Sequence, residues 1–107
     1  NKIGSILRCE LPDSLVGRYG GEEFIILIPN INNSFERIEK VRELISNIKV
    51  NFEDIIIDKI SMSFGIYNIT EDIVNEDVKS LRKKYIGNAD KALYTSKENN
   101  KNKTTVY

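Results

Sequence analysis

At 107 residues and 12.3 kDa, with 40% hydrophobic residues, the chain has enough apolar material to line one core but not two. Lys+Arg 16 balance Asp+Glu 16, and a net charge of +0 leaves no long-range field to gather nucleic acid or an anionic membrane, so a bound phosphate must be held locally. The lack of histidine excludes Ser-His and Cys-His relays and imidazole-dependent zinc sites, and a single Cys9 excludes an internal disulfide, which leaves carboxylates and lysines to carry any chemistry.

From Asn1 to Glu10, Ile3, Ile6 and Leu7 fall at helical spacing, and Pro12-Asp13 breaks the pattern. Two strands follow, Leu15 to Tyr19 and Glu22 to Ile28, joined at Gly20-Gly21, where a tight turn needs the positive φ that glycine takes without strain. The second strand is almost continuously apolar, which predicts a place in the middle of a sheet. Asn33 and Glu36 form a capping-box pattern for a helix from Ser34 to about Val50, with Phe35, Ile38, Val41, Ile45 and Ile48 on its packing stripe and Glu36, Arg37, Glu39, Lys40 and Glu43 on its wet side. Beyond an Ile-rich stretch at Ile55 to Ile57, alternation from Ile60 to Ile66 predicts a strand whose Ser61, Ser63 and Gly65 face suits close approach by a packed helix. A polar loop from Asn68 to Asp77 leads to a second amphipathic helix through Leu81, Tyr85, Ala89, Ala92, Leu93 and Ser96. That helix is weakened at Gly87-Asn88 and is predicted to end near Asn99-Asn100. Thr104 to Tyr107 has the composition of a last strand. No apolar run reaches the ~20 residues that span a bilayer, and no signal-peptide pattern opens the chain, so a cytoplasmic domain without direct membrane contact is expected.

Two groups stand out for chemistry. Glu22 and Glu23 follow the glycine turn but point to opposite faces of their strand, so one carboxylate at most addresses a given ligand. Such a carboxylate beside bare glycine backbone suits a hard divalent cation, although an acid after a glycine turn is more often simply solvated. Lys97 and Lys101, four positions apart, fall on one face if the last helix extends that far, and two ammonium groups there suit a triphosphate. Lysines at a helix C-terminus are also favoured by the helix dipole alone.

The stretch Arg18-Tyr19-Gly20-Gly21-Glu22-Glu23-Phe24 resembles the signature of the GGDEF family of diguanylate cyclases in its GGEEF form. Ser61-Met62-Ser63-Phe64-Gly65 is similar to the family's Ser-x-Gly strand, and Ala89-Asp90-Lys91-Ala92-Leu93-Tyr94 with Lys97 to its final helix, in the same order. The resemblance implies an α+β, palm-like fold of the nucleotide cyclase and ferredoxin-like type: a central antiparallel sheet with packed helices, here incomplete at the N-terminus. Residues 1–107 are then the C-terminal portion of a GGDEF domain within a longer protein with a regulatory or sensory domain, in which any membrane tether lies outside this stretch. The implied reaction condenses two GTP molecules into cyclic di-GMP with release of pyrophosphate in bacterial second-messenger signalling, on a homodimer with one GTP per subunit and Mg²⁺ or Mn²⁺ as the metal. By position, Glu22 is the metal-binding and catalytic carboxylate and Glu23 an auxiliary. Gly20 and Gly21 receive the nucleotide, and Lys97 and Lys101 contact phosphates.

Several family features are not matched. The family's metal-binding aspartate on its first strand and its guanine-recognising Asn and Asp have no counterpart here, so the fragment alone is expected to be inactive. Asn100-Lys101 stands where the family usually has Gly-Arg, exchanging a planar fork for a point charge. The product-inhibition motif Arg-x-x-Asp meets Leu11 and Ser14, which implies that the primary inhibitory site is missing; Arg42 matches a secondary product contact in some members, but a surface arginine paired with Glu39 is the preferred reading. The alternative function is a non-catalytic GGDEF module that senses GTP or docks a signalling partner.

Overall fold

The computed structural model describes residues 2–20, 23–29, 32–57, 60–69 and 77–107. Its architecture is α+β, and the elements run α1 (Lys2–Glu10), β1 (Leu15–Gly20), β2 (Glu23–Leu27), α2 (Ser34–Ser46), β3 (Val50–Phe52), β4 (Ile55–Ile57), β5 (Phe64–Ile66), α3 (Val78–Glu98) and β6 (Thr104–Val106). Strand pairing among the described residues comes in three two-stranded units: β1 with β2 and β3 with β4, both antiparallel, and β5 with β6, parallel.

The helical stripes build the core. Leu7 of α1 and Leu11 just beyond it meet Ile38, Val41 and Ile45 of α2, with Ile48 and Phe64 completing the cluster. α1 stops where Pro12 cannot continue it, and the Ser14 hydroxyl donates to the Leu11 carbonyl at 2.7 Å. α2 begins at its expected N-cap, Asn33, but the Asn33 side chain makes no capping bond. It ends at Ser46 rather than near Val50, because Val50 is drawn into the β3–β4 ladder opposite Ile57. Phe35, expected on the packing stripe, is instead 42% exposed. It shares a helix face with Glu39 and Arg42 at positions i, i+4 and i+7, turned toward residues 102–104. Part of the wet side is also engaged: Arg37 donates to the Glu10 carbonyl at 3.1 Å and Lys40 lies 3.4 Å from the Glu10 carboxylate, tying α2 to the end of α1.

β5 is shorter than its alternating pattern, since only Phe64–Ile66 joins the ladder with β6. Gly65 sits directly against α3, where a methyl group would overlap the backbone of Ala89 and Leu93. At Gly65 the small face of this segment therefore serves helix packing. Ser96, fully buried, donates to the Phe64 carbonyl at 2.8 Å and contacts the Thr105 hydroxyl at 2.6 Å, so one hydroxyl links α3, β5 and β6. α3 runs unbroken through Gly87-Asn88. β2, expected in mid-sheet, has β1 as its one partner among the described strands, and its Ile25 and Ile26 are only half-buried.

Candidate functional site

The hairpin carries its register from Leu15 opposite Leu27 to Arg18 opposite Phe24, and then shifts so that Gly20 faces Glu23. Tyr19 is the extra residue of this irregularity, of the kind that increases local twist and re-aims a strand end. Gly20, expected in the turn, thus closes β1, and Gly21 and Glu22, the centre of the predicted site, lie outside the described residues. Beside them the Arg18 guanidinium covers the Phe24 ring at 5.3 Å, a cation–π pair that stiffens the hairpin end, and Glu23 is exposed.

This hairpin end, α3 and the turn after it border one cleft of ≈ 1450 Å³, lined among others by Glu23, Phe24, Arg82, Asp90, Lys97 and Lys101. The structure therefore brings both predicted lysines to the cavity that the hairpin borders, and since the helix stops where expected, near Asn99-Asn100, they do not share one helix face. α3 ends at Glu98 with Asn99 as its C-cap, so Lys97 lies in the last helical turn while Lys101 lies beyond the helix. Asn100, Lys101 and Asn102 have φ of 75°, 56° and 45°, three successive left-handed residues. Asparagine tolerates that region, so Asn100 keeps a turn for which glycine is the usual choice. The Lys101 N–H donates to the Ser96 carbonyl at 3.1 Å and the Asn102 N–H to the Ser63 hydroxyl at 3.0 Å.

Sequence reasoning passed over Arg82 as a site residue. Its signal was helical spacing, because Arg82, Ala89, Leu93 and Lys97 recur at intervals of seven and four, the stripe of α3 that meets the cleft.

Behind the turn, the Arg42 guanidinium holds the Glu39 carboxylate with two bonds of 2.9 Å and donates to the Asn102 side-chain oxygen at 3.0 Å and to its carbonyl at 3.4 Å. The Arg42 hydrogen bonds hold the Glu39 carboxyl below the usual carboxylate range, against an opposing effect of partial burial. Arg42 is thus engaged within the fold, as an ion pair with Glu39 that also reaches Asn102. Leu11, where the inhibitory arginine of the family would fall, is a core residue, and Arg8 reaches the Ser5 hydroxyl at 3.4 Å.

No group of three or more metal-ligating side chains occurs among the described residues, and Glu23 and Asp90 are the only described carboxylates on the cleft. These residues do not by themselves make a magnesium site, which requires several oxygen ligands in a near-octahedral set.

Residues 1–103 match the family described as diguanylate cyclase, GGDEF domain. The chain belongs to the GGDEF-domain family. Diguanylate cyclase A of Treponema denticola is 31% identical over 108 residues, covering 98% of this chain and 27% of that protein. The probable diguanylate cyclase DgcT of Escherichia coli is 34% identical over 110 residues, covering 99% of this chain and 22% of that protein. The chain thus spans about a quarter of the length of these curated relatives. Among solved structures, the GGDEF domain of DgcB from Caulobacter crescentus, in complex with c-di-GMP, matches with a TM-score of 0.77 at 27% identity, over 97% of this chain and 60% of that one. The active GGEEF domain of a diguanylate cyclase from Vibrio cholerae matches with a TM-score of 0.80 at 24% identity, over 99% of this chain and 64% of that one, a likeness of fold. The palm-like α+β architecture is therefore that of GGDEF domains. No helix among the described residues is long and apolar enough to cross a membrane.

Proposed function

We propose that this chain is the C-terminal portion of a diguanylate cyclase domain that condenses two GTP molecules into cyclic di-GMP and pyrophosphate, with one GTP on each subunit of a homodimer. The observation that carries this reading is the convergence of the GGEEF hairpin end with Lys97 and Lys101 on one cleft. In this reading the two lysines neutralise phosphate charge, Gly20 and Gly21 leave room for the nucleotide, and Glu22, with Glu23 as an auxiliary, contributes carboxylate to a Mg²⁺ or Mn²⁺ site. When bound, such a metal stabilises charge on the oxygens of the phosphoryl transfer.

The rest of the domain is proposed to come from the parent protein, in the cytoplasm and under the control of a regulatory or sensory domain. The apolar part of the cleft, between the edge of β2 that has no partner among the described strands and the segment around β5, has the walls of a strand slot: Ile26 and Ile28 on one side, Phe64 and Ile66 on the other. Backbone edges of this kind are satisfied by an added strand.

Glu22→Gln in the full-length protein tests the function. It removes the carboxylate charge at constant size, and cyclic di-GMP formation from GTP and Mg²⁺ is expected to fall at least about a hundredfold. The same assay applied to the 107 residues alone is expected to give no product. Turnover that survives Glu22→Gln would remove Glu22 from the catalytic site, whereas a full-length protein that forms no cyclic di-GMP and whose signalling output is unaltered by Glu22→Gln would replace the enzymatic reading with a module that binds GTP or a protein partner without turnover.

A further inference from the structure

The turn at residues 100–102 is conformationally costly. Three consecutive side-chain-bearing residues in the left-handed region persist only where their surroundings over-determine them. Three anchors do so here. The Lys101 N–H is held by the Ser96 carbonyl at 3.1 Å, the Asn102 N–H by the Ser63 hydroxyl at 3.0 Å, and the Asn102 side-chain and main-chain oxygens by Arg42 at 3.0 and 3.4 Å. The first two anchors belong to the α3 end and the strand segment beside it. Of these three anchors Arg42 is the one that ties the turn to α2, and its own direction is fixed by two 2.9 Å bonds to Glu39.

Arg42 stands on the far side of this turn from the cleft. The small depression of ≈ 370 Å³ that it lines with Phe35, Glu39 and Asn102 shares no lining residue with the cleft bordered by Lys97 and Lys101. Its side chain is 16% exposed, and its N–H groups point to Glu39 and Asn102. A group so placed is turned away from the cleft, and it holds the residue that follows Lys101.

We propose that Arg42 is a positioning residue for nucleotide binding, locking the left-handed turn from behind so that Lys101 is held at the cleft. The proposal rests on the reading of Lys101 as a phosphate contact. Guanidinium is the group this role needs, because one planar fork can hold a carboxylate with two bonds and still donate to the turn. A lysine at the same position keeps the charge but not the shape.

The experiment is a double-mutant cycle in the full-length, product-free protein, reading the dissociation constant of a non-hydrolysable GTP analogue with Mg²⁺, together with KM and kcat. Arg42→Lys is expected to weaken analogue binding about fivefold and to raise KM with little change in kcat. In a Lys101→Ala background it is expected to cause no further loss, because its effect passes through Lys101. Amide exchange at Asn102 is expected to accelerate in Arg42→Lys while that of Val41 and Ile45 does not. If Arg42→Lys fails to fold, Asn102→Ala cuts the same link from the turn and is expected to show the same loss. Lys101→Ala weakening binding while Arg42→Lys and Asn102→Ala leave it unchanged would overturn the positioning role and leave the phosphate reading intact, as would fully additive losses. Unchanged binding in Lys101→Ala would overturn both.

Discussion

A carboxylate forked by a guanidinium is stabilised in its charged form, and Glu39 shows this in its acidity. Because the Arg42 bonds lower the Glu39 pKa in the folded protein, the pair stabilises the fold fully above the unfolded carboxylate value of about 4.3. That contribution is lost as pH falls through the lower folded value. Glu43, 3.9 Å from Arg42 and mostly exposed, adds a weaker charge to the same cluster. Glu39→Gln is therefore expected to melt below the parent protein at neutral pH, with the gap shrinking below about pH 4 and closing in stronger acid. Melting curves of the two proteins between about pH 7 and pH 2 check this, and a gap that stays constant over that range would mean that Glu39 contributes through packing rather than charge.

Among the elements, α3 packs on β5 with no room for a side chain at residue 65. The backbone of Ala89 and Leu93 lies where a side chain of residue 65 would start, so neither partner can yield by a rotamer change. Gly65→Ala is expected to cost about 3 kcal/mol, at the upper end of overpacking effects, as a lowered urea midpoint at unchanged slope. A loss under about 1 kcal/mol would show that α3 shifts freely on the strand. The elements legible in the sequence are those with a periodic signal. The hairpin from Leu15, the Ile38-Val41-Ile45 stripe and the long stripe of α3 each repeat a spacing that only one conformation satisfies. The β3–β4 hairpin carries no turn signal in the sequence, because its turn falls on Glu53-Asp54, with Glu53 at φ 54° in place of the glycine or asparagine that normally marks such a position. In the candidate site, the sequence shows Lys97 and Lys101 as a pair and the helix end near Asn99-Asn100 between them, but not the path that follows. Helical spacing alone cannot show that Asn100, Lys101 and Asn102 follow a left-handed path, nor that Arg42, sixty residues from Asn102 in sequence, donates to it.

At the scale of the molecule, the described fold is extended for its size. Its radius of gyration is 15.2 Å, against about 13 Å for a compact domain of this length. Its accessible surface is 8067 Å², about a third above the roughly 6100 Å² expected for a compact protein of 12.3 kDa. The excess surface includes the β1–β2 ribbon, where the cross-strand pair Leu15 and Leu27 is 71% and 54% exposed and β2 has no second neighbour among the described strands. Apolar side chains beside an unpaired backbone edge favour pairing with another chain. The 107 residues on their own are therefore expected to associate at concentrations of tens of micromolar, seen as a concentration-dependent rise in sedimentation coefficient. Leu27→Lys places a charge on that ribbon at a position already exposed, so it is expected to reduce association with little effect on the fold. If the isolated chain stays monomeric and melts cooperatively at such concentrations, the ribbon is self-sufficient and no added strand is needed at β2. Association that Leu27→Lys leaves untouched would locate the sticky surface elsewhere, with the exposed Ile55 and Ile56 of β4 as the next apolar edge to be charged.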